Sequence, residues 1–434
     1  MVRDRVAVIG GGVTGALVSV RLAERGFSVV ALEKSSIGNG SSSRSMAGIR
    51  AQWAVEETVR GMRYSAWWYA RFHDALHTPA PQRQPVLIPN GYLFLYEDPA
   101  QAAANARDVV TAAWDAAGRN VTMQRAAGIR VEILTPFEVA AQWPWVDAGR
   151  LRGATWGPDD GFLQPHVIYQ EAFRRARELG VDVRVGAEVI GSETRGGRIT
   201  ALRLARATGE ERLEVNWVVN ATNAWAPRVS RSLGGMPLPI QPSKRYLYHV
   251  QVEPPVMSEV AWQRMPMVVY GMGPGRGAHT RPDGPLLLLG GAHAREPEPM
   301  FEDDDQDSIR EGFGHAHGID NPAWDLLAQV ADFAPAFAEN AGPRATTCGF
   351  YAVTPDSTPL IGPDTELANL VHAAGFSGHG VMHAPVTALL VEALLTGASP
   401  TSDAALPEGM GSISLAAFDP ARDFSASPKE AFAL

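Results

Sequence analysis

The segment RVAVIGGGVTG, residues Arg5–Gly15, decides the fold of this chain. It begins with a short apolar run that is typical of a buried parallel strand. The glycines that follow have the spacing G-x-G-x-x-G and are Gly10, Gly12 and Gly15. Apolar residues then recur at helical spacing, and Ser28–Leu32 is a second apolar run typical of a buried strand. The pattern therefore predicts a β-α-β unit of about 30 residues.

This strand-glycine-helix arrangement predicts a dinucleotide site. The first glycine allows a tight turn, the second lets the backbone approach a pyrophosphate, and the third lets the helix pack closely on the strand. The helix N-terminus offers N–H groups and the positive end of its dipole to the phosphates. Glu33 ends the second strand, where a carboxylate accepts hydrogen bonds from a ribose and repels a 2′-phosphate. NADP is therefore disfavoured, whereas FAD and NAD both fit the motif.

Composition excludes several other classes of protein. The chain has 434 residues and one cysteine, Cys348, so neither a disulfide framework nor a cluster of cysteine metal ligands is expected. A net charge of -9 argues against nucleic acid as the main partner. No apolar run reaches the length of about 18 residues that a membrane helix needs, and the N-terminus does not fit a secretory signal. A cytoplasmic protein without a membrane partner is therefore expected, and its oligomeric state is left open.

Strand and helix patterns predict an α/β protein, α+β overall, with a discontinuous first domain and a second sheet inserted into it. The predicted Rossmann-type domain comprises residues 1–88, 149–239 and 345–400. The predicted insertion, with a mixed or antiparallel sheet that binds substrate, comprises residues 89–148 and 240–344. Helices are predicted over 100–117 and 383–395, among others, and residues 401–434 are predicted to form a tail.

Four further motifs accompany the glycine turn. They are SSSRSMAGIR at 41–50, VNATNAW at 219–225, TPD at 354–356 and GFSGHG at 375–380. In this order, from residue 3 to about residue 396, the chain resembles the FAD-dependent D-amino-acid oxidase superfamily, in particular its sarcosine oxidase and dimethylglycine dehydrogenase branch. The resemblance implies FAD, oxidation of an amine C–N bond by hydride transfer to flavin N5, and hydrolysis of the imine. The implied substrate is a secondary or tertiary amine, an N-alkyl amino acid, with O₂ or another electron acceptor.

The resemblance also implies which residues form the site. Arg50 matches the arginine that holds the substrate carboxylate, for which a guanidinium offers a bidentate fork. The other residues expected around the substrate are Lys244, Tyr246, Tyr351 and Met382, with Tyr248 and His293 as further pocket candidates. The residues expected to hold FAD are Gly10, Gly12, Val13, Thr14, Gly15, Glu33, Lys34, Ser41, Ser42, Ser43, Arg44, Val189, Ala221, Trp225, Gly349, Gly375, Ser377, Gly378, His379 and Gly380.

Three features depart from the family pattern. Met382 stands where these relatives have a second cation for the substrate, which favours a bulkier or more apolar amine. Leu286–Leu289 contains no oxygen-activating lysine, so slow reaction with O₂ is expected, and Lys244 is the alternative candidate for that role. Cys348 precedes Tyr351 by three residues, one more than in relatives that attach flavin to a cysteine. Because a one-residue shift turns a strand side chain to the opposite face, FAD is expected to bind without a covalent bond.

Other functions remain open from the sequence alone. A D-amino acid or glycine oxidase is one alternative, and a flavin-bound assembly factor without catalytic activity is another. No metal is expected. The acidic run Glu302–Asp307 lacks the glycine and the glutamate of a calcium loop. His315 and His317 lack a third ligand at the spacing of a zinc site.

Overall fold

The computed structural model of the protein describes residues 4–253, 256–271, 277–291 and 313–430. Its strands are β1 (Arg5–Ile9), β2 (Ser28–Leu32), β3 (Gly48–Ile49), β4 (Leu87–Ile88), β5 (Tyr92–Glu97), β6 (Glu132–Leu134), β7 (Leu151–Gly157), β8 (Gly161–Leu163), β9 (Asp182–Arg184), β10 (Glu188–Arg195), β11 (Arg198–Arg206), β12 (Gly209–Glu214), β13 (Trp217–Asn220), β14 (Gln241–Val252), β15 (Met267–Tyr270), β16 (Ala278–Asp283), β17 (Leu286–Gly290), β18 (Ala341–Val353), β19 (Leu360–Pro363), β20 (Leu370–Ala374), β21 (Asp403–Ala405) and β22 (Ser412–Ser414).

The described helices are α1 (Val13–Glu24), α2 (Glu56–Ala70), α3 (Phe72–Ala75), α4 (Arg107–Ala126), α5 (Pro136–Gln142), α6 (Pro165–Glu178), α7 (Ala226–Leu233), α8 (Glu259–Gln263), α9 (Ala323–Ala331), α10 (Pro335–Asn340) and α11 (Gly380–Leu395). In these ranges no helix combines the length and the apolar character needed to cross a membrane.

A six-stranded sheet is built around the glycine-turn segment, in the order β19-β20-β13-β1-β2-β9. Neighbouring strands are parallel except for β19 and β20. Strand β1 is buried on both faces: Val6 and Val8 pack in the core that contains α1 and α11, whereas Ala7 and Ile9 pack against the sheet β10-β11-β12. This double burial explains the continuous apolar runs in the sequence. The predicted Rossmann-type architecture is confirmed.

A second sheet has eight strands in the order β18-β14-β17-β16-β15-β5-β7-β6, antiparallel except for the pair β5 and β15. Successive side chains along β5 point to opposite faces of the sheet and join two different cores. Leu93 and Leu95 join the core that includes α9, and Tyr92 and Phe94 join the core of the first domain. The predicted second sheet of mixed orientation is therefore present, and one of its faces lies against the first domain.

The sheets differ from the predicted domain bounds in two places. Strand β7 lies in the eight-stranded sheet although 149–239 was expected in the first domain, and β18 extends beyond residue 345 in that same sheet. Local patterns do not determine which sheet a strand joins, because the pairing partners are distant in the chain. The division into domains stays a prediction at those bounds.

The C-terminal segment is not a loose tail. Ile413, Leu415 and Phe418 are buried in the main core. The Arg422 guanidinium donates two hydrogen bonds of 2.8 Å to the carboxylate of Asp356, and the side chains are only 7% and 2% exposed. These contacts correct the expectation of a tail after residue 400.

Arg422→Met is expected to lower the free energy of unfolding by about 3–5 kcal/mol, because it leaves the Asp356 carboxylate buried without its ionic partner. Urea denaturation of the FAD-loaded protein measures the change. The matched control is Arg212→Met, since Arg212 forms ion pairs that are exposed to solvent. The control is expected to keep the wild-type midpoint, and equal midpoints for the two variants would contradict a structural role for the C-terminal segment.

Candidate active site

A cavity of about 720 Å³ lies at the carboxyl ends of β1, β2 and β13 and extends to the second sheet. Its volume is in the range of sites for organic ligands. Its lining includes Gly10, Gly12, Val13, Thr14, Glu33, Lys34, Ser41, Ser42, Arg44, Val189, Ala221, Trp225, Arg245, Tyr246, His279, Gly349, Tyr351, Gly378 and Gly380. We call it the cofactor cavity.

The glycine turn at one end of this cavity leaves no room for side chains. Gly10 has φ of +116°, and a Cβ atom there would lie 2.6 Å from the Ala221 carbonyl oxygen. A Cβ atom on Gly15 would lie 1.9 Å from the Gly10 carbonyl oxygen. The N–H of Val13, at the start of α1, donates to Ser42 Oγ at 3.1 Å. The turn therefore presents bare backbone and the N-terminus of α1 to a ligand, as phosphate binding requires.

The Glu33 carboxylate is fixed at the rim of the cavity. Its Oε2 accepts a hydrogen bond of 2.8 Å from the N–H of Gly11, and its Oε1 accepts from the Ser35 N–H at 2.8 Å and hydroxyl at 3.1 Å. Lys34 Nζ lies 5.5 Å from the centroid of a Trp225 ring. Hydrogen bonds within the protein thus fix the orientation of the Glu33 carboxylate at the end of β2.

The serine-rich loop connects the two halves of the cavity. It forms a 3₁₀ helix over Ser41–Arg44, and the Ser41 hydroxyl donates to the Phe350 carbonyl on β18 at 2.9 Å. The Arg44 guanidinium donates to the carbonyl oxygens of Asn39 and Gly40. The loop is therefore held in place from both sides.

The segment before α11 turns sharply beside the cavity. Gly375 and Gly378 have φ of +73° and +91°, and Ser377 also has a positive φ, 46°. A Cβ atom on Gly378 would lie 2.4 Å from the ring of Tyr351. Glycine at 378 is therefore required for both the backbone conformation and the close approach of Tyr351.

A second, smaller cavity of about 40 Å³ adjoins the first. The residues that line both cavities are Ser45, Met46, His279, Tyr351, Gly378 and Val381. The residues that line only the smaller one are Ala47, Gly48, Arg50, Tyr92, Met267, His379 and Met382. We call it the substrate cavity, since it places a cation and apolar walls next to the larger site.

Arg50 is the buried cation of the substrate cavity. Its side chain is 2% exposed, and its guanidinium carbon lies 3.6 Å from the centroid of a Trp53 ring. Its Nη1 donates to the Gln52 carbonyl oxygen at 2.7 Å. Burial raises the pKa of the Tyr92 phenol to about 12, so that this neighbour is neutral.

Asp160 lies behind the Arg50 segment. Its carboxyl accepts hydrogen bonds from the Ala51 N–H at 2.9 Å and from the Gln52 side-chain amide at 3.1 Å. Burial raises the pKa of Asp160 to about 7 against the opposing effect of these donors and of Arg50. At neutral pH this carboxyl therefore offsets the charge of Arg50 only in part.

The histidines of the site are neutral at physiological pH. Burial lowers the pKa of His279 and of His383 to about 4, and it lowers the pKa of His379 well below its usual range. The nearby charge of Arg50 adds to each of these shifts. The rings of His379 and Trp53 pack edge to face with centroids 4.3 Å apart.

A family model described as FAD dependent oxidoreductase, DAO, matches residues 5–394. The chain belongs to the DAO family of FAD-dependent oxidoreductases. It is 26% identical over 428 residues to the FAD-dependent oxidoreductase domain-containing protein 1 of Xenopus laevis, a match that covers 91% of this chain and 79% of the relative. Mitochondrial sarcosine dehydrogenase of Homo sapiens is 26% identical over 387 residues, which are 87% of this chain and 38% of that protein. The solved L-proline dehydrogenase of P. horikoshii has 27% identity and a TM-score of 0.78, with 98% and 99% of the two chains covered.

These comparisons confirm the predicted superfamily, its sarcosine-enzyme relatives and the assignment as an enzyme. The cofactor of this DAO-family protein is FAD. The cofactor cavity fits it: bare glycine backbone and a helix N-terminus are available for the diphosphate, and Glu33 is available for a ribose.

Most of the residues expected to hold FAD line the cofactor cavity, and five positions need comment. Gly15, Ser43, Gly375 and Ser377 do not line it, and His379 lines the substrate cavity instead. Gly15 supports the site by letting α1 approach the turn. The contribution of each residue to binding stays a prediction.

The expectation for Lys244 needs correction. Lys244 lines neither cavity, whereas its neighbour Arg245 lines the cofactor cavity, with its guanidinium carbon 5.3 Å from the Tyr351 ring centroid. The consecutive residues Arg245, Tyr246 and Leu247 all line the cofactor cavity, so strand alternation alone does not account for the position of Lys244. Tyr248 is buried in the second core away from both cavities. His293 and the acidic run Glu302–Asp307 lie outside the described residues.

Two residues that line the site, His279 and Arg245, were not predicted from the sequence. His279 belongs to no motif, and its strand was not recognised. Arg245 had no separate signal beyond its place beside Lys244 on a predicted strand. In the described ranges, no group of three or more His, Cys, Asp or Glu side chains is arranged to hold a metal ion.

Cys348 lies on the core side of β18. Its side chain is 2% exposed in the second core, opposite Tyr246 in the register, while Tyr351 lines both cavities. Cys348 and Tyr351 are three positions apart, so strand alternation places their side chains on opposite faces. Binding of FAD without a covalent bond stays a prediction.

Acid precipitation of the purified yellow protein is therefore expected to release all flavin absorbance into the supernatant. The reason is that the Cys348 thiol is buried in the second core and is not among the residues that line the cofactor cavity. Cys348→Ser is expected to release the same fraction. Yellow colour retained in the wild-type pellet, and lost from the pellet in Cys348→Ser, would contradict the orientation of this thiol.

Proposed function

We propose that this FAD-dependent oxidoreductase oxidises the C–N bond of a small amino acid whose nitrogen carries an alkyl group. The observation that carries the proposal is the buried Arg50 guanidinium in a cavity that adjoins the FAD site. A guanidinium binds a carboxylate by charge-assisted hydrogen bonds. A substrate carboxylate on Arg50 would leave the amine end near the cofactor cavity, because the two cavities share lining residues.

The surroundings of Arg50 suit a carboxylate in one orientation. Trp53 covers one face of the guanidinium at 3.6 Å, and the Gln52 carbonyl accepts from Nη1. These two contacts fix the plane of the Arg50 guanidinium, and its other N–H groups point within that plane. A guanidinium held in one plane binds a carboxylate with two parallel hydrogen bonds, which fixes orientation as well as charge.

The other walls of the substrate cavity suit an uncharged amine. Met267 and Met382 are buried, and the neighbouring phenols of Tyr92 and Tyr351 have a pKa raised by burial. Desolvation favours the neutral form of an amine, which has the lone pair needed to expel a hydride from the adjacent carbon. FAD supplies the acceptor for that hydride, and the imine product is hydrolysed by water.

The lining of the substrate cavity and the relatives both support an N-alkyl amino acid. Met267 and Met382 form apolar walls in the cavity that holds Arg50. Two of the relatives are named for sarcosine and for L-proline. In both compounds the amino nitrogen carries a second carbon substituent beside a free carboxylate.

The electron acceptor is proposed to be one other than O₂. Leu286–Leu289 on β17 contributes no residue to either cavity, and Lys34 is the only lysine among the residues that line them. No lysine of the described second sheet is therefore positioned beside the cofactor cavity to assist oxygen.

Anaerobic reduction of the bound flavin by a panel of amines tests the proposed function. The panel contains sarcosine, L-proline, N,N-dimethylglycine, glycine, D-amino acids, and pyrrolidine as a proline analogue without a carboxylate. L-proline or sarcosine is expected to bleach the visible flavin absorbance at least about tenfold faster than pyrrolidine, because pyrrolidine lacks the charge-assisted contact with Arg50. Bleaching by glycine or D-amino acids alone would contradict the N-alkyl preference, and no bleaching by any amino acid would contradict the function.

Arg50→Ala is expected to lower kcat/KM for the best amino acid roughly 10- to 150-fold, which corresponds to a charge-assisted contact of about 1.5–3 kcal/mol. Arg50→Lys is expected to recover little, since a point charge does not replace the planar fork. FAD content is expected to stay near wild type in both variants, and Arg212→Ala serves as the exposed control. An unchanged Kd for the amino acid in FAD-loaded Arg50→Ala would remove Arg50 from the substrate site.

A further inference from the structure

His279 lies at the junction of the two cavities. Its side chain is 4% exposed and lines both of them. It pairs across the sheet with Gly290 of β17, and a Cβ atom on Gly290 would lie 2.8 Å from His279 Nε2. Glycine at position 290 therefore leaves the space that the imidazole occupies.

Hydrogen bonding fixes which ring nitrogen of His279 carries the proton. Nδ1 lies 2.9 Å from the Gly277 carbonyl oxygen, which only accepts hydrogen bonds. The proton of the neutral ring is therefore on Nδ1. Burial, together with the positive charges of Arg50 and Arg245, lowers the pKa of His279 to about 4. The ring is therefore neutral at physiological pH.

Nε2 of His279 is consequently a hydrogen-bond acceptor. In the described part of the chain the one hydrogen bond of this ring is that of Nδ1 with the Gly277 carbonyl oxygen. An acceptor that borders a cavity favours a ligand that brings a hydrogen-bond donor. His279 lines both the cofactor cavity and the cavity that holds Arg50, so an amino acid with its carboxylate on Arg50 and its amine towards the flavin would lie beside it.

The other histidine of the substrate cavity is less suited to this contact. His379 lines only the smaller cavity and packs against Trp53, which covers Arg50. It thus lies at the carboxylate end. His279 alone among the described histidines borders both sites.

We propose that Nε2 of His279 accepts a hydrogen bond from the N–H of the neutral substrate amine, and thereby selects primary and secondary amines over tertiary ones. The proposal rests on the proposed function and names its substrate class more narrowly. A neutral tertiary amine has no N–H, so it would place an alkyl group against Nε2 and leave that acceptor unpaired. No proton is transferred in this contact, and the amine remains in the form that releases hydride.

Two planar carboxylates of nearly equal shape test the contact without catalysis. Pyrrole-2-carboxylate presents an N–H where 2-furoate presents an oxygen lone pair. Titration of the oxidised FAD-loaded protein, followed by the flavin absorbance change, gives the Kd of each. Pyrrole-2-carboxylate is expected to bind about tenfold or more tightly than 2-furoate, since only the former pairs the buried acceptor.

Substitutions at His279 assign the difference to this residue. His279→Leu is expected to reduce the ratio of the two Kd values to about one, and His279→Gln, whose amide oxygen can accept, is expected to restore part of it. The matched control is His249→Leu on β14, because His249 lines neither cavity. It is expected to keep the wild-type ratio. FAD content measured for each variant separates loss of selectivity from loss of cofactor.

Flavin reduction by sarcosine and by N,N-dimethylglycine completes the test. The wild-type protein is expected to be reduced at least about tenfold faster by sarcosine, and His279→Leu is expected to lose that preference. Equal Kd values for the two carboxylates in the wild type, or equal reduction by the two amines, would overturn the role of His279 and leave the Arg50 site intact. If neither carboxylate binds and no amino acid reduces the flavin, the proposed function fails and this proposal fails with it.

Discussion

The Arg50 guanidinium is buried beside the FAD site, and much of the surrounding structure holds it there. A charge removed from water is costly unless its surroundings compensate for it. Trp53 covers its face, the Gln52 carbonyl accepts one of its hydrogen bonds, and Asp160 accepts hydrogen bonds from the Ala51 N–H and the Gln52 side chain. This arrangement places the guanidinium in a small cavity that adjoins the cofactor cavity.

Distant parts of the chain stabilise the same segment. The Glu430 carboxylate accepts hydrogen bonds from the N–H groups of Ala54 and Val55, immediately after Trp53, although more than 370 residues separate them. The Arg281 guanidinium donates to the Met46 carbonyl at 2.8 Å on the other side. The substrate cavity thus depends on the C-terminal segment and on the second sheet, while the FAD site depends on the glycine turn.

The sequence predicts the cofactor half of the molecule well, because its determinants are local. The runs Arg5–Ile9 and Ser28–Leu32 are strands with the expected bounds, since glycines and apolar runs fix them within about 30 residues. The helix predicted over 100–117 is found at Arg107–Ala126. Alanine content indicated a helix there, but its position follows the buried residues Val110 and Val121, which pack on other elements.

The substrate half was harder to predict, because long-range pairing decides it. His279 reaches the site only because β16 pairs with β17 and a glycine lies opposite. Arg245, Tyr246 and Leu247 of β14 line the cofactor cavity whereas Lys244 does not, and the pairing of β14 with β18 positions them. The C-terminal segment has the composition of a tail, yet single side chains such as Arg422 and Glu430 join it to residues far away in the chain. None of these pairings leaves a periodic pattern in the sequence.

The most direct test of the account is a crystal structure of the FAD-loaded protein with bound pyrrole-2-carboxylate. The account requires both carboxylate oxygens within about 3.2 Å of guanidinium nitrogens of Arg50, with the ring in the substrate cavity and its N–H directed to His279. A ligand whose carboxylate instead pairs with Arg245 in the cofactor cavity, with Arg50 untouched, would contradict it.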